Sequence, residues 1–193
     1  MSKIILITGG ARSGKSSYAL ERAEAISSNR LFVATCPKID SEMSERVRRH
    51  QEERNGRGWI TVENEINLDA VFKERTAGID VVLIDCITLW VNNILFAHDS
   101  EGFVVDDHFI SELCSEWLET TKHFTGTVIC VTNEVGLGIV PDNPLARRYR
   151  DLVGTCNQLI GRNASEVVLV SCGIPLLLKE SDKRSINTGK EMP

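Results

Sequence analysis

Apolar residues in this 193-residue chain come in short unbroken runs: Ile4 to Thr8, Leu31 to Thr35, Val81 to Asp85, Thr127 to Thr132 and Val167 to Ser171. A strand with one wet face alternates apolar and polar residues, whereas a strand covered on both faces is apolar throughout. Longer amphipathic or polar stretches separate the five runs, and strands alternating with helices build a mostly parallel central sheet flanked by helices. The pattern therefore predicts one α/β domain over residues 1–180. A polar tail over 181–193 lacks the apolar content to pack firmly. In such sheets ligands gather beyond the carboxyl ends of the strands, which places Gly9, Cys36, Asp85, Asn133 and Cys172 along one rim.

The charge balance narrows the classes open to this sheet. With 22 Lys and Arg against 27 Asp and Glu, the net charge is −5, which argues against a general nucleic-acid or anionic-membrane surface. No apolar run approaches the roughly 20 residues of a membrane span, and the start, Met-Ser-Lys before a strand, lacks signal-peptide anatomy. A cytoplasmic protein with no membrane span and no nucleic-acid partner is expected. The six cysteines include no C-x-x-C pair, and core packing in a reducing compartment accounts for them better than a metal or redox role.

The first run leads into Gly9-Gly10-Ala11-Arg12-Ser13-Gly14-Lys15-Ser16, a full match to G-x-x-x-x-G-K-[ST]. Glycines let consecutive backbone N–H groups turn around a phosphate, and a helix starting near Gly14 directs its positive end at the same anion. Lys15 would reach the β- and γ-phosphates of a nucleoside triphosphate, and the Ser16 hydroxyl would ligate Mg2+. Val81-Val82-Leu83-Ile84-Asp85 is an apolar strand ending in an acid, the form of the second element of such sites, whose carboxylate supports Mg2+ beside the loop serine. Ser16 and Asp85 are thus the candidate metal residues. The expected fold is a P-loop NTPase, RecA-like in its sheet.

The segment Glu42 to Arg54 has good helix formers throughout and no Gly or Pro. As a helix it places Arg46, His50 and Arg54 on one stripe, four residues apart. Two flanking cations disfavour a charged imidazole and leave it nucleophilic, while the guanidiniums offer bidentate sites for phosphate oxygens. From spacing alone, a solvated helix held by pairs such as Glu42 with Arg46 and Arg49 with Glu53 is the more economical reading. A further stretch, Val131 to Pro141, puts a polar pair, two glycines and a proline at a strand end, an irregular loop expected to shape the second substrate's pocket. Arg147, Arg148 and Arg150 beyond it either steer a phosphorylated substrate or form a plain charged helix face.

Taken together, these motifs resemble the bifunctional adenosylcobinamide kinase / adenosylcobinamide-phosphate guanylyltransferase family of cobalamin biosynthesis, over roughly residues 3 to 178. The resemblance rests on the phosphate loop, Ala34-Thr35, Arg46-x-x-x-His50-x-x-x-Arg54, Asp85-Cys86-Ile87-Thr88 and Thr132 to Pro141. It implies that ATP or GTP phosphorylates the aminopropanol hydroxyl of a corrinoid substrate, adenosylcobinamide, and that GMP then passes from GTP to the adenosylcobinamide phosphate. It assigns the guanylyl-carrying histidine to His50; Arg46 and Arg54 are then expected to neutralise the α-phosphate, and Lys15 to serve both reactions. Nucleotide contacts are implied at the phosphate loop, at Ala34, Thr35 and Cys36, at Gln51, Glu52, Glu53 and Arg54, at Glu63 and at Asp85. A homotrimer with sites near subunit contacts is also implied. Some members carry a second histidine beside the nucleophile; here that neighbour is Arg49.

Two other readings make different demands. A small-molecule kinase needs only the phosphate loop and Asp85, and leaves His50 dispensable. A regulatory GTPase wants Asp-x-x-Gly after the metal strand and Asn-Lys-x-Asp after a later one, where this chain has Asp85-Cys86-Ile87-Thr88 and Thr132-Asn133-Glu134-Val135.

Overall fold

The computed structural model describes residues 2–37, 47–48, 51–99 and 102–181. The elements follow in order as β1 (Lys3–Thr8), α1 (Lys15–Ile26), β2 (Arg30–Ala34), β3 (Trp59–Glu63), α2 (Leu68–Glu74), β4 (Val81–Asp85) and α3 (Ile87–Asp99). They continue with α4 (Asp107–Thr121), β5 (Thr127–Val131), α5 (Pro144–Asn163), β6 (Glu166–Ser171) and β7 (Ile174–Glu180). Among the described residues, seven strands join one sheet in the order β3-β2-β4-β5-β1-β6-β7. The first six run parallel, and β7 returns antiparallel to β6.

Unbroken apolar runs arise because alternate residues of each strand enter different cores. Ile4 and Leu6 of β1, with Val82 and Ile84 of β4, pack under α2 to α5. Ile5 and Ile7, with Val81 and Leu83, pack under Ala19, Leu20 and Ala23 of α1. Burying such a side chain contributes about 1.5–3 kcal/mol against leaving it exposed, so neither face of β1 or β4 tolerates a polar residue mid-strand. The starts of the two longest helices are fixed locally. Asp106 caps α4 by accepting from the Phe109 N–H at 2.9 Å. Asn143 caps α5 by accepting from the Leu145 N–H at 2.8 Å, and Pro144 occupies the first turn, where no N–H is needed.

Parallel pairing brings the strand ends to one rim. Ala34 stands beside Asp85, Asp85 beside Val131, and Val131 beside Ile7. Strand β5 therefore separates the phosphate-loop strand from the Asp85 strand. Two edge strands are additions to the five runs, β3 and, at the opposite edge, β7. The Ile-Pro-Leu-Leu-Leu sequence of β7 sits between a Cys-Gly turn and the polar tail, and a proline within a run suits only an edge. Ile174, Leu176, Leu177 and Leu178 on it are exposed.

At the far end of the sheet, the turn from α4 into β5 is closed around Gly126. A Cβ there would lie 2.2 Å from the Asp80 carbonyl oxygen and 2.4 Å from Cζ of Phe124. Since the first obstacle is backbone that pairs with Thr127, it cannot yield cheaply. Gly126→Ala is expected to lower stability by about 3 kcal/mol, read as a lower urea midpoint with an unchanged m-value.

Candidate active site

The loop after β1 is shaped by positions that only particular residues tolerate. A Cβ on Gly9 would stand 2.3 Å from the Val170 carbonyl oxygen and 2.7 Å from Oγ of Ser13. Gly14 has φ 93° immediately before α1 and, being glycine, offers that helix no side-chain cap. The first-turn N–H groups of α1 are thus left facing the loop interior, the arrangement that receives an anion. Lys15 is only 8 % exposed, and its Nζ donates to the Gly10 carbonyl at 3.0 Å, so the ammonium lies inside the loop. The Ser13 hydroxyl is buried without a partner among the described residues. Ala11 and Arg12 form the exposed crest.

Support for the loop comes from the far end of the chain. The Gly173 N–H donates to the Ser13 carbonyl at 2.8 Å, and Gly173 Cα would be 3.2 Å from a Cβ on Gly14. The β6–β7 turn therefore buttresses the phosphate loop from behind. Only the Cys172-Gly173 pair hints at this turn in the sequence.

Ser16, Ala34, Cys36, Gln51, Arg54 and Asp85 line one cleft of about 60 Å3, with Phe32 and Leu89 as part of its apolar wall. Predicted residues from the start of α1, the end of β2, the 51–54 turn and the end of β4 thus meet. Arg54, 5 % exposed, stacks its guanidinium 3.5 Å from the centroid of the Phe32 ring. Among the described residues, its Nε and Nη1 have no hydrogen-bond partner. Burial pulls its pKa below the usual guanidinium range, and the negative charges of Asp85 and Glu53 oppose that shift. A cation with unspent donors beside a phosphate loop is suited to an anionic ligand. Phe32 as the platform leaves no signal in the sequence, because it is one apolar residue of a strand that is apolar throughout.

Other predicted contacts lie elsewhere. Thr35 is wholly buried; its hydroxyl donates to the Cys86 carbonyl at 2.8 Å and accepts from the Cys86 N–H at 2.7 Å. It therefore fixes the chain just after Asp85, leaving that hydroxyl committed to the scaffold. The Cys86 thiol is pushed up to about 11, chiefly by burial, and stays protonated at neutral pH. Glu52 and Glu53 are exposed on the helical turn 51–54 and do not line the cleft. Glu52 pairs with Arg48 and borders an adjoining cavity of about 370 Å3 beside Trp59 and Thr61, which shares Gln51 and Arg54 with the cleft. Glu63 is exposed at the end of β3, one strand beyond Ala34. His50 and Arg46 lie outside the described residues, as does the tail beyond residue 181.

The segment after β5 is tied into the rim by polar contacts. Thr132 donates to Asn157 Oδ1 at 2.7 Å, Asn157 donates back to the Asn133 carbonyl at 3.1 Å, and Asn133 Nδ2 donates to the Thr88 hydroxyl at 2.8 Å. Glu134 Oε1 accepts from the Thr8 hydroxyl at 2.6 Å, and the Glu134 N–H donates to the Gly9 carbonyl at 3.3 Å. Beyond it Leu137, Ile139 and Val140 form an exposed apolar lip. Arg147 donates to the carbonyls of Pro141 and Asp142 at 2.9 and 2.7 Å, closing this loop onto α5. Arg150 pairs with Asp151, so of these two arginines it is Arg147 that acts on the loop.

A family model described as cobinamide kinase / cobinamide phosphate guanyltransferase matches residues 5–178. The bifunctional adenosylcobalamin biosynthesis protein CobU of Salmonella typhimurium is 37 % identical over 182 residues, covering 91 % of this chain and 99 % of that protein. CobP of Pseudomonas aeruginosa, likewise titled a bifunctional adenosylcobalamin biosynthesis protein, is 35 % identical over 175 residues, covering 90 % and 96 %. Among solved structures, the flagellar accessory protein FlaH of Methanocaldococcus jannaschii superposes with a TM-score of 0.51 at 15 % identity, over 92 % of this chain and 78 % of its own. A second solved structure, an ATPase domain, does so with a TM-score of 0.51 at 12 % identity, over 93 % and 78 %. At such identities the superpositions speak to the fold, a P-loop NTPase sheet.

Proposed function

This chain belongs to the cobinamide kinase / cobinamide phosphate guanyltransferase family, and from that premise we propose that it phosphorylates adenosylcobinamide with ATP or GTP and then transfers GMP from GTP to the resulting phosphate. The observation that carries this reading is the cleft in which Ser16, Asp85, Gln51 and Arg54 meet, beside a loop whose lysine is already turned inward. A plain small-molecule kinase needs only the phosphate loop and Asp85, and this cleft adds Arg54, whose Nε and Nη1 have no partner among the described residues.

Mg2+ fits the residues present. It is held typically by one or two protein oxygens with phosphate and water completing the shell, and the cleft offers the Ser16 hydroxyl and the Asp85 carboxylate. When bound, Mg2+ supplies charge neutralisation across the β- and γ-phosphates. The chain's own residues do the rest. Loop N–H groups and the start of α1 cradle the phosphates, and Lys15 follows charge onto the leaving oxygen. Arg54, released from its stack on Phe32 or reaching from it, offers Nε and Nη1 to the α-phosphate.

In the second step, His50 attacks the α-phosphorus as a neutral imidazole. A P–N bond forms and pyrophosphate leaves; an oxygen of the corrinoid phosphate then forms the P–O bond as the P–N bond breaks, returning the imidazole. Arg46 and Arg54 flank this position four residues away on either side. Six free thiols accord with work in the reducing cytoplasm. Exposed leucines on the open edge β7 support self-association, for which the homotrimer is the proposed form.

The test is incubation with Mg2+ and GTP labelled at the α-phosphate. A covalent label that survives base and is lost in acid is expected, the signature of a phosphoramidate. No label on active wild-type protein would return the chain to the plain-kinase reading.

A further inference from the structure

We propose that Glu134 is the general base of the kinase step, taking the proton from the acceptor hydroxyl as it attacks the γ-phosphorus. The proposal rests on the kinase reading above and adds a role that the phosphate loop and Asp85 leave unfilled. In phosphoryl transfer to an alcohol, the O–H proton must leave as the new O–P bond forms and the bond to the β-phosphate oxygen breaks. A positioned carboxylate commonly receives it.

Position singles out this residue. Strand β5 lies between β1, which carries the phosphate loop, and β4, which carries Asp85. Glu134 leaves the rim just beyond β5, between the strands that carry the loop and the metal carboxylate. Its backbone is anchored to the loop: the Gly9 carbonyl accepts from the Glu134 N–H at 3.3 Å, next to the Gly10 carbonyl that accepts from Lys15 Nζ at 3.0 Å. Its carboxylate, bonded to the Thr8 hydroxyl, sits at the end of β1 where that loop begins. Other rim carboxylates are placed for other work. Asp85 shares its cleft with Ser16 and Arg54, while Glu63 ends β3, which lies beyond both β4 and β2 from the loop.

The carboxylate is also held in a manner that suits exchange of partners. Its side-chain hydrogen bond among the described residues comes from the Thr8 hydroxyl at 2.6 Å, a neutral donor rather than a cation. A substrate hydroxyl arriving beside it offers a donor of the same kind. Meanwhile Asn133, anchored to Thr88 and through its carbonyl to Asn157, keeps the backbone from which Glu134 projects in place.

Chemistry provides a test internal to the enzyme. The kinase step needs a base because its nucleophile is an alcohol; the guanylyl step does not, because its final nucleophile is already a phosphate anion. For Glu134→Gln, the ratio of kinase rate to guanylyl-transfer rate, measured on one preparation with each acceptor supplied separately, is expected to fall at least about 100-fold. Thr8→Val removes the hydroxyl but spares the carboxylate, and its ratio is expected to stay within about threefold of wild type. If Glu134 only braces the loop, both variants shift both rates together and the ratio holds, which would overturn the proposal. Absence of kinase activity in wild-type protein would instead sink the kinase reading itself, so the two failures are distinguishable.

Discussion

Lys15→Ala is expected to abolish both half-reactions together, each falling at least about 100-fold, as when one preorganised donor to a developing oxyanion is removed. The side chain is buried in its loop and already bonded to Gly10, so no rearrangement is needed for it to meet a phosphate. Arg12, the other loop cation, is exposed at the crest with a left-handed backbone, φ 57°, and cannot substitute from there. Lys15→Arg is expected to rescue little, because a planar fork does not fit where a compact ammonium sits against a carbonyl. Rates of corrinoid phosphorylation and of GMP transfer, each at saturating acceptor, are the measurement. Either half-reaction persisting at normal rate would show that one loop does not serve both.

The parts of this protein that can be read from the sequence are those dictated by backbone chemistry. Five apolar runs become strands because each strand feeds two cores, and G-x-x-x-x-G-K-S becomes the loop because the close approach of Val170 to Gly9 admits no side chain. Asp85 falls at the rim from the parallel pattern alone. What stays hidden depends on contacts between distant segments. Nothing local distinguishes Phe32 from other strand residues, yet its ring carries Arg54. The resemblance implies a nucleotide contact at Thr35, and no local pattern announces that its hydroxyl also bonds the Cys86 backbone. Strand β7 escapes the pattern because its apolar residues face outward, which periodicity reads as a misplaced core. Glu134 belongs to a recognisable loop, and only strand order reveals that the strand it follows, β5, runs between those carrying the phosphate loop and Asp85.

His50→Ala is expected to separate what Lys15→Ala removes together. The covalent label from α-labelled GTP should vanish and GMP transfer should fall about 10^4-fold or more, some 5.5 kcal/mol of barrier, while corrinoid phosphorylation stays within about threefold. The asymmetry follows from where bonds change. The kinase step breaks a bond at the γ-phosphorus, beside Lys15 and the loop; the guanylyl step breaks one at the α-phosphorus, the end of the triphosphate assigned to Arg54. Because Arg54 follows His50 by four residues in the sequence, a nucleophile at that position is expected to come into line only when the arginine engages the α-phosphate. Arg54→Ala is therefore expected to slow labelling of His50 more than it slows the kinase, and Arg54→Lys to recover part of that loss through charge but not through the fork. Added imidazole restoring GMP transfer to His50→Ala, without altering its kinase rate, would place the missing group in the nucleophile's position. A His50→Ala protein that still accumulates label would move the nucleophile to another residue and leave His50 without a role in GMP transfer.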